Sequence, residues 1–108
     1  MYLLTDCVRV ATILFTLMFL NELESVIRDR ITTPSSGSYV NSLVASGLDR
    51  VLKKIGEEAG EVIIAAKNQS PDELRYEAAD LVFHLSIVLQ MAGLSWQDID
   101  DELRRRHS

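Results

Sequence analysis

The segment "KNQSPDEL", residues 67–74, constrains the fold more than any other stretch of this chain. It sets a helix stop and a helix start a few residues apart, because Ser70 serves as an N-cap, Pro71 fits the first helical position and Glu73 completes a capping box. A long apolar stripe lies on each side. Leu48, Val51, Leu52, Ile55, Val62, Ile63 and Ala66 repeat at helical spacing before it; Leu74, Ala78, Leu81, Leu85, Val88 and Leu89 do so after it, up to a glycine stop at Gly93. Two helices of that length joined so tightly lie antiparallel as a hairpin.

The remainder punctuates itself in the same way. Phe19, Leu20, Leu23, Val26 and Ile27 predict an amphipathic helix beginning at Met18, followed by a turn-rich loop, "ITTPSSGS", from Ile31 to Ser38. Ser38 caps a short helix through Ser46 that Gly47 ends. Ser95 with Asp98 caps a last helix, Leu94 and Ile99 are spaced as a hydrophobic staple, and Arg104, Arg105 and Arg106 suit its negative end. No strand pattern and no internal repeat is present. The expectation is an all-α helical bundle forming one domain. Its stripes hold more apolar surface than a chain of 108 residues can cover alone, so assembly as at least a homodimer is expected, with Phe83, Ile64 and Val88 as candidates for the subunit face.

"VATILFTLMFL", Val10 to Leu20, carries no charge. As a helix it would span roughly 17 Å against the ~30 Å of hydrocarbon in a bilayer, and Asp6 and Arg9 block its extension backwards. It lacks the basic start and the cleavage site of a signal peptide. Residues 1–17 therefore read as an extension or a misassigned start, and residues 18–108 as the domain. A net charge of -5 argues against nucleic-acid binding by bulk electrostatics, and no membrane partner is expected. One cysteine, Cys7, excludes an internal disulfide and a cysteine zinc site, which suits a reducing cytoplasm.

Within the hairpin, like charges are crowded. Glu58 and Glu61 are about 60° apart around their helix and Glu57 about 40° from Glu61, so all three share one side. Glu77 and Asp80 are three apart on the next helix, at comparable height. Four or five carboxylates that converge repel one another unless a cation sits among them, and an oxygen-only cage is what Mg²⁺ prefers. A solvated acidic face has the same spacing. Two details favour the metal: Gly56, Ala59, Gly60, Ala78 and Ala79 permit close helix approach, and Asp80 borders the apolar run "LVFHLSIVL", where an unpaired charge is costly.

"GEEAGEV" followed by "YEAADLVFHL" resembles the EExxE and ExxD signature of the all-α, MazG-like nucleotide pyrophosphohydrolases. The longer phrases "SYVNSLVASGLDRVLKKIGEEAGEVIIAAKN" and "ELRYEAADLVFHLSIVL" resemble the phosphoribosyl-ATP pyrophosphatases of histidine biosynthesis, over Met18 to about Arg106. This resemblance implies Mg²⁺-dependent hydrolysis of phosphoribosyl-ATP to phosphoribosyl-AMP and pyrophosphate. Carried over by position, Glu58, Glu61, Glu77 and Asp80 are metal ligands, and Glu57 is either a ligand or the residue that orients the attacking water. The alternative within the superfamily is a house-cleaning (d)NTP pyrophosphohydrolase; a helical interaction module with merely solvated acids is the non-enzymatic one. Lys53, Lys54, Lys67, Asn68, Ser38 and Tyr39 are candidate substrate contacts. Each also has a structural reading: a Lys54–Glu58 ion pair, a lysine at a helix C-terminus, an N-cap followed by a partly buried aromatic. His84, four residues after Asp80, reads as a satisfied core histidine, and Trp96 carries no argument.

Overall fold

The computed structural model describes residues 19–33 and 37–107, so the expected extension over residues 1–17 lies outside the described residues. Among the described residues there are five helices and no strand. They are α1 (residues 19–32), α2 (Tyr39–Ala45), α3 (Leu48–Lys67), α4 (Pro71–Met91) and α5 (Trp96–Arg106). The expected all-α architecture is what the chain adopts. No single described helix is long and apolar enough to cross a membrane.

Local chemistry sets the boundaries. Ser38, Ser70 and Ser95 each accept a backbone N–H in the first turn of α2, α4 and α5, from Asn41, Glu73 and Asp98. At Ser95 the box is closed, since its own N–H donates to Asp98 Oδ2 at 2.8 Å. At Ser70 it is not. That residue's N–H is already committed to Ala65 O at 3.3 Å, and Gln69 N–H donates to Ala66 O at 3.1 Å. Together these form a Schellman closure of α3, with Gln69 in the left-handed region at φ 56. Gly93 (φ 77) ends α4 in the same way, with Leu94 N–H on Leu89 O. α1 runs one or two residues further than the loop expected from Ile31, with Thr32 Oγ1 donating back to Arg28 O at 2.9 Å.

α3 packs along α4 as the hairpin, and α2 lies against α3. The core is a cluster of Ile27, Val40, Leu43, Val51 and Ile87, drawn from α1 to α4, with Leu23, Ile31, Phe83 and Met91 packed around it. α5 buries no residue of its own. It is fastened at Trp96, whose backbone N–H donates to the buried carboxylate of Glu24 and whose indole N–H donates to buried Ser86 at 2.8 Å.

The inward face of α3 differs from the one expected. Leu48, Leu52, Ile63 and Ala66 are exposed, and the buried line is Val51, Glu58 and Ala65, each seven residues from the last. Val51 of the expected stripe is fully buried and Ile55 and Val62 are half-buried, so the inward face is rotated from the expected one rather than reversed; Ile63, at its far edge, stands about 140° round from Glu58. On α4 the deeply buried residues are His84, Ser86, Ile87 and Leu89, whereas Leu74, Ala78, Leu81, Leu85 and Val88 are half-buried. From Leu81 on that helix is apolar nearly all round, so no single stripe identifies its core side there.

Candidate active site

The Schellman turn fixes the register of the hairpin, and the register brings the acids together. Glu58 on α3 and Glu77 and Asp80 on α4 each offer a carboxylate oxygen within 4.8 Å of the others. Glu61 lies beside them, close enough to Glu77 for the two carboxyl groups to share a proton. Four of the five expected acids therefore meet. Glu57 does not: it is exposed and pairs with Lys54 Nζ at 3.8 Å. This also corrects the expected Lys54–Glu58 pair, since Lys54 turns to the outer carboxylate three residues on and leaves the inner one without a cation.

The electrostatics show the strain of the arrangement. Oε2 of Glu58 and Oε2 of Glu77 are buried without a hydrogen-bond partner. The Glu61 carboxylate beside it, its own burial and the Glu58 carboxylate push the Glu77 carboxyl up to about 7 from its ordinary 4.5. Burial, followed by the charges of Asp80 and Glu61, also raises Glu58, against a lowering contribution from its bond to Glu77. A proton on Glu77 relieves part of the repulsion, and a divalent cation would offset more of it. The donor set fits a hard divalent ion: oxygen only, from two facing helices, with two orphaned lone-pair sites.

The other expected contacts are placed less centrally. Ser38 is spent as the α2 cap, its Oγ 3.3 Å from Asn41 N. Lys53 is exposed one turn before the acids; Lys67 and Asn68 are exposed at the far end of α3, about 9 Å or more beyond Glu61 along the axis. Tyr39 does approach the site through His84, whose Nδ1 donates to Asp80 O at 2.9 Å. No atom of a facing helix lies within 4 Å of where a Cβ on Gly56 or Gly60 would sit, so these glycines do not serve the helix approach expected of them. Sequence reasoning missed the Tyr39–His84 link, which joins residues 45 apart, and the Glu24–Trp96 and Trp96–Ser86 fastenings. For Glu24–Trp96 the available signal was a glutamate, Glu24, set between Leu23 and Ile27 on the apolar side of its helix.

Comparison with known proteins agrees with this geometry. The family profile described as phosphoribosyl-ATP pyrophosphohydrolase matches residues 20–107. A histidine biosynthesis bifunctional protein HisIE of Thermus thermophilus is 57% identical over 83 residues, covering 77% of this chain and 39% of the relative. Phosphoribosyl-ATP pyrophosphatases of Leptospira biflexa and Lactiplantibacillus plantarum are 51% identical over 90 residues and 48% over 87, covering 83% and 81% of this chain and 98% and 82% of theirs. The chain thus spans about two-fifths of the bifunctional relatives and most of the single-function ones. With a match over nearly all its described residues and the acids of that signature gathered on one hairpin, the chain belongs to the phosphoribosyl-ATP pyrophosphohydrolase family.

Proposed function

We propose that the chain hydrolyses phosphoribosyl-ATP to phosphoribosyl-AMP and pyrophosphate, the reaction its single-function relatives are named for, in a Mg²⁺-dependent manner and within the cytoplasm. The observation that carries the proposal is the carboxylate triangle with two buried, unpartnered oxygens, an arrangement that a bound cation would stabilise. Glu58, Glu77, Asp80 and Glu61 would hold Mg²⁺. When bound, that ion supplies charge neutralisation for the phosphoanhydride and lowers the cost of activating water.

The remaining work falls to the chain's own residues. Glu58 is fixed by burial in the α3–α4 seam, and the Asp80 backbone is held by His84, so the acids are preorganised. Glu57, exposed on the rim and paired with Lys54, would orient the attacking water rather than join the inner set. Lys53, with Lys54 beside it, would provide positive charge one turn away for the phosphates, and Tyr39 would offer an exposed ring. Lys67 and Asn68 would act only on a substrate reaching the other end of the helix.

Residues 18–108 are proposed as the hydrolase domain, and a homodimer or higher homo-oligomer as its working form. Ile63 and Ile64, adjacent on α3, are 68% and 61% exposed and Phe19 is 65% exposed, and a second copy would bury them. An apolar cavity of about 550 Å³ opens between α1 and α4, lined by Phe19, Leu23, Ala78 and Phe83 among others. Of the expected subunit-face residues, Ile64 is exposed and Phe83 lines this cavity, whereas Val88 packs on the core.

Pyrophosphate release is measured from phosphoribosyl-ATP, dUTP and the canonical dNTPs, with Mg²⁺ and with EDTA. Turnover of phosphoribosyl-ATP alone, abolished by EDTA, is the expected result. Preference for dNTPs would move the chain to house-cleaning chemistry, and no release from any nucleotide would leave only a helical interaction module.

A further inference from the structure

Tyr39 opens α2 with 51% of its surface accessible, yet its hydroxyl lies 3.2 Å from Nε2 of His84, an imidazole only 5% exposed. The other ring nitrogen, Nδ1, lies 2.9 Å from the carbonyl oxygen of Asp80, one turn back on α4. A carbonyl only accepts, so Nδ1 carries a proton; in the neutral ring Nε2 then accepts from the tyrosine hydroxyl. Both polar atoms of the imidazole are thereby used within the chain.

The aromatic ring is fixed from its side as well. Tyr39 stacks on Phe83 with centroids 6.1 Å apart and planes 16° apart. His84 meets both rings edge-on, at 6.2 Å and 5.3 Å. With its hydroxyl engaged and its orientation held, what Tyr39 offers to solvent is ring surface. That surface is tied through one imidazole to the backbone of a residue in the acidic cluster.

We propose that His84 is a positioning residue of the hydrolysis: bonded to Asp80 through Nδ1 and to Tyr39 through Nε2, it sets the Tyr39 ring as a fixed platform on which the purine of the nucleotide stacks beside the acids. The inference rests on the phosphoribosyl-ATP reading above. A purine presents a flat π-face whatever its charge, and a preset aromatic face recognises it by stacking. Because both nitrogens are satisfied, the buried imidazole is tolerated here, and what it adds to packing is the tether to the Tyr39 hydroxyl. Leucine, frequent on this helix, would fill the same space.

The experiment determines KM and kcat for phosphoribosyl-ATP with saturating Mg²⁺, together with a thermal melt, for wild type, Tyr39→Phe, His84→Gln, His84→Leu and the double variant His84→Leu/Tyr39→Phe. Tyr39→Phe keeps the ring and loses only its tether, so KM should rise about fivefold while kcat changes less than about twofold. His84→Leu should do the same. His84→Gln, whose amide oxygen can accept from Tyr39, should recover most of the loss, and the double variant should be no worse than His84→Leu, because both changes break one bond. A merely structural role would lower the active fraction, and so kcat, at constant KM.

If His84→Leu fails to fold, Tyr39→Phe and His84→Gln still decide the matter, since the first removes one oxygen from a half-exposed ring. Wild-type KM in Tyr39→Phe, or additive effects in the double variant, overturns the inference while leaving the hydrolase reading intact. A wild type that releases no pyrophosphate from phosphoribosyl-ATP overturns both.

Discussion

Replacing Glu58 by glutamine tests the acidic cluster at its most buried point. In the metal-free protein the Glu58 side chain is buried, has an orphaned Oε2 and faces the charges of Asp80 and Glu61. Glutamine keeps the shape, removes one charge and adds an amide that can donate to the neighbouring carboxylates. An unsatisfied buried acceptor costs about 1–3 kcal/mol; with solvent reaching the rim of this cluster, the lower end, about 1 kcal/mol, is the appropriate gain. For a domain of this size that amounts to roughly 4–8 °C in Tm. Apo Glu58→Gln should therefore melt above the apo wild type. Mg²⁺ reverses the order: at a hundred times its dissociation constant it stabilises the wild type by about 2.7 kcal/mol, whereas a variant weakened a hundredfold gains only about 0.4 kcal/mol. The assay is differential scanning fluorimetry in EDTA and across a Mg²⁺ titration, with pyrophosphate release alongside, where turnover should fall by orders of magnitude. An apo variant that melts several degrees below the wild type, or an unaltered Mg²⁺ shift, would refute the reasoning, because the carboxylate would then be a solvated or satisfied group.

Other outcomes follow from the same structure. Because the folded protein holds the Glu77 carboxyl at about 7, above its ordinary 4.5, the fold favours its protonated form; apo stability should decline as pH rises from 5 to 7.5, and Glu77→Gln should flatten that slope in urea melts. A rise over that window would count against the shared proton. Gly47, at φ 95 and ψ 165, occupies a region open essentially to glycine alone, with nothing near a built Cβ; Gly47→Ala should cost about 1–3 kcal/mol from backbone strain, read as a lower denaturation midpoint. Light scattering should show at least a dimer at micromolar concentration, and Ile63→Glu with Ile64→Glu should shift it toward monomer; a wild-type monomer would sink the assembly. A chain begun at Met18 should keep its turnover and melting temperature, and a loss of several degrees would show that residues 1–17 belong to the core.

What could be read in the sequence was what is decided locally. Ser38, Ser70, Gly47, Gly93 and the Ser95–Asp98 box act within a turn of their own positions, and the structure uses each as a cap or stop. The gathering of Glu58, Glu77 and Asp80 was legible for a related reason: a three-residue connection leaves a hairpin little freedom of register. The faces were harder to assign. Ile63 and Leu52 fit an apolar template and yet lie outside, because hydropathy does not reveal that a carboxylate, Glu58, sits in the seam. The Tyr39–His84 contact depends on how α2 docks across the hairpin, which nothing near either residue encodes.

The line Val51, Glu58, Ala65 has a practical consequence for anyone who evolves or redesigns this chain. An aliphatic residue at position 58 would join its two apolar neighbours along the seam, relieve the charge crowding and hold the hairpin together without any metal. If Glu58 holds the metal as proposed, selection for heat resistance or expression alone would favour its loss, and the survivors would be well-folded proteins without a reaction. At this position a library has to be screened for turnover first and robustness second, and a sequence with leucine there should be taken as a scaffold that has given up its chemistry.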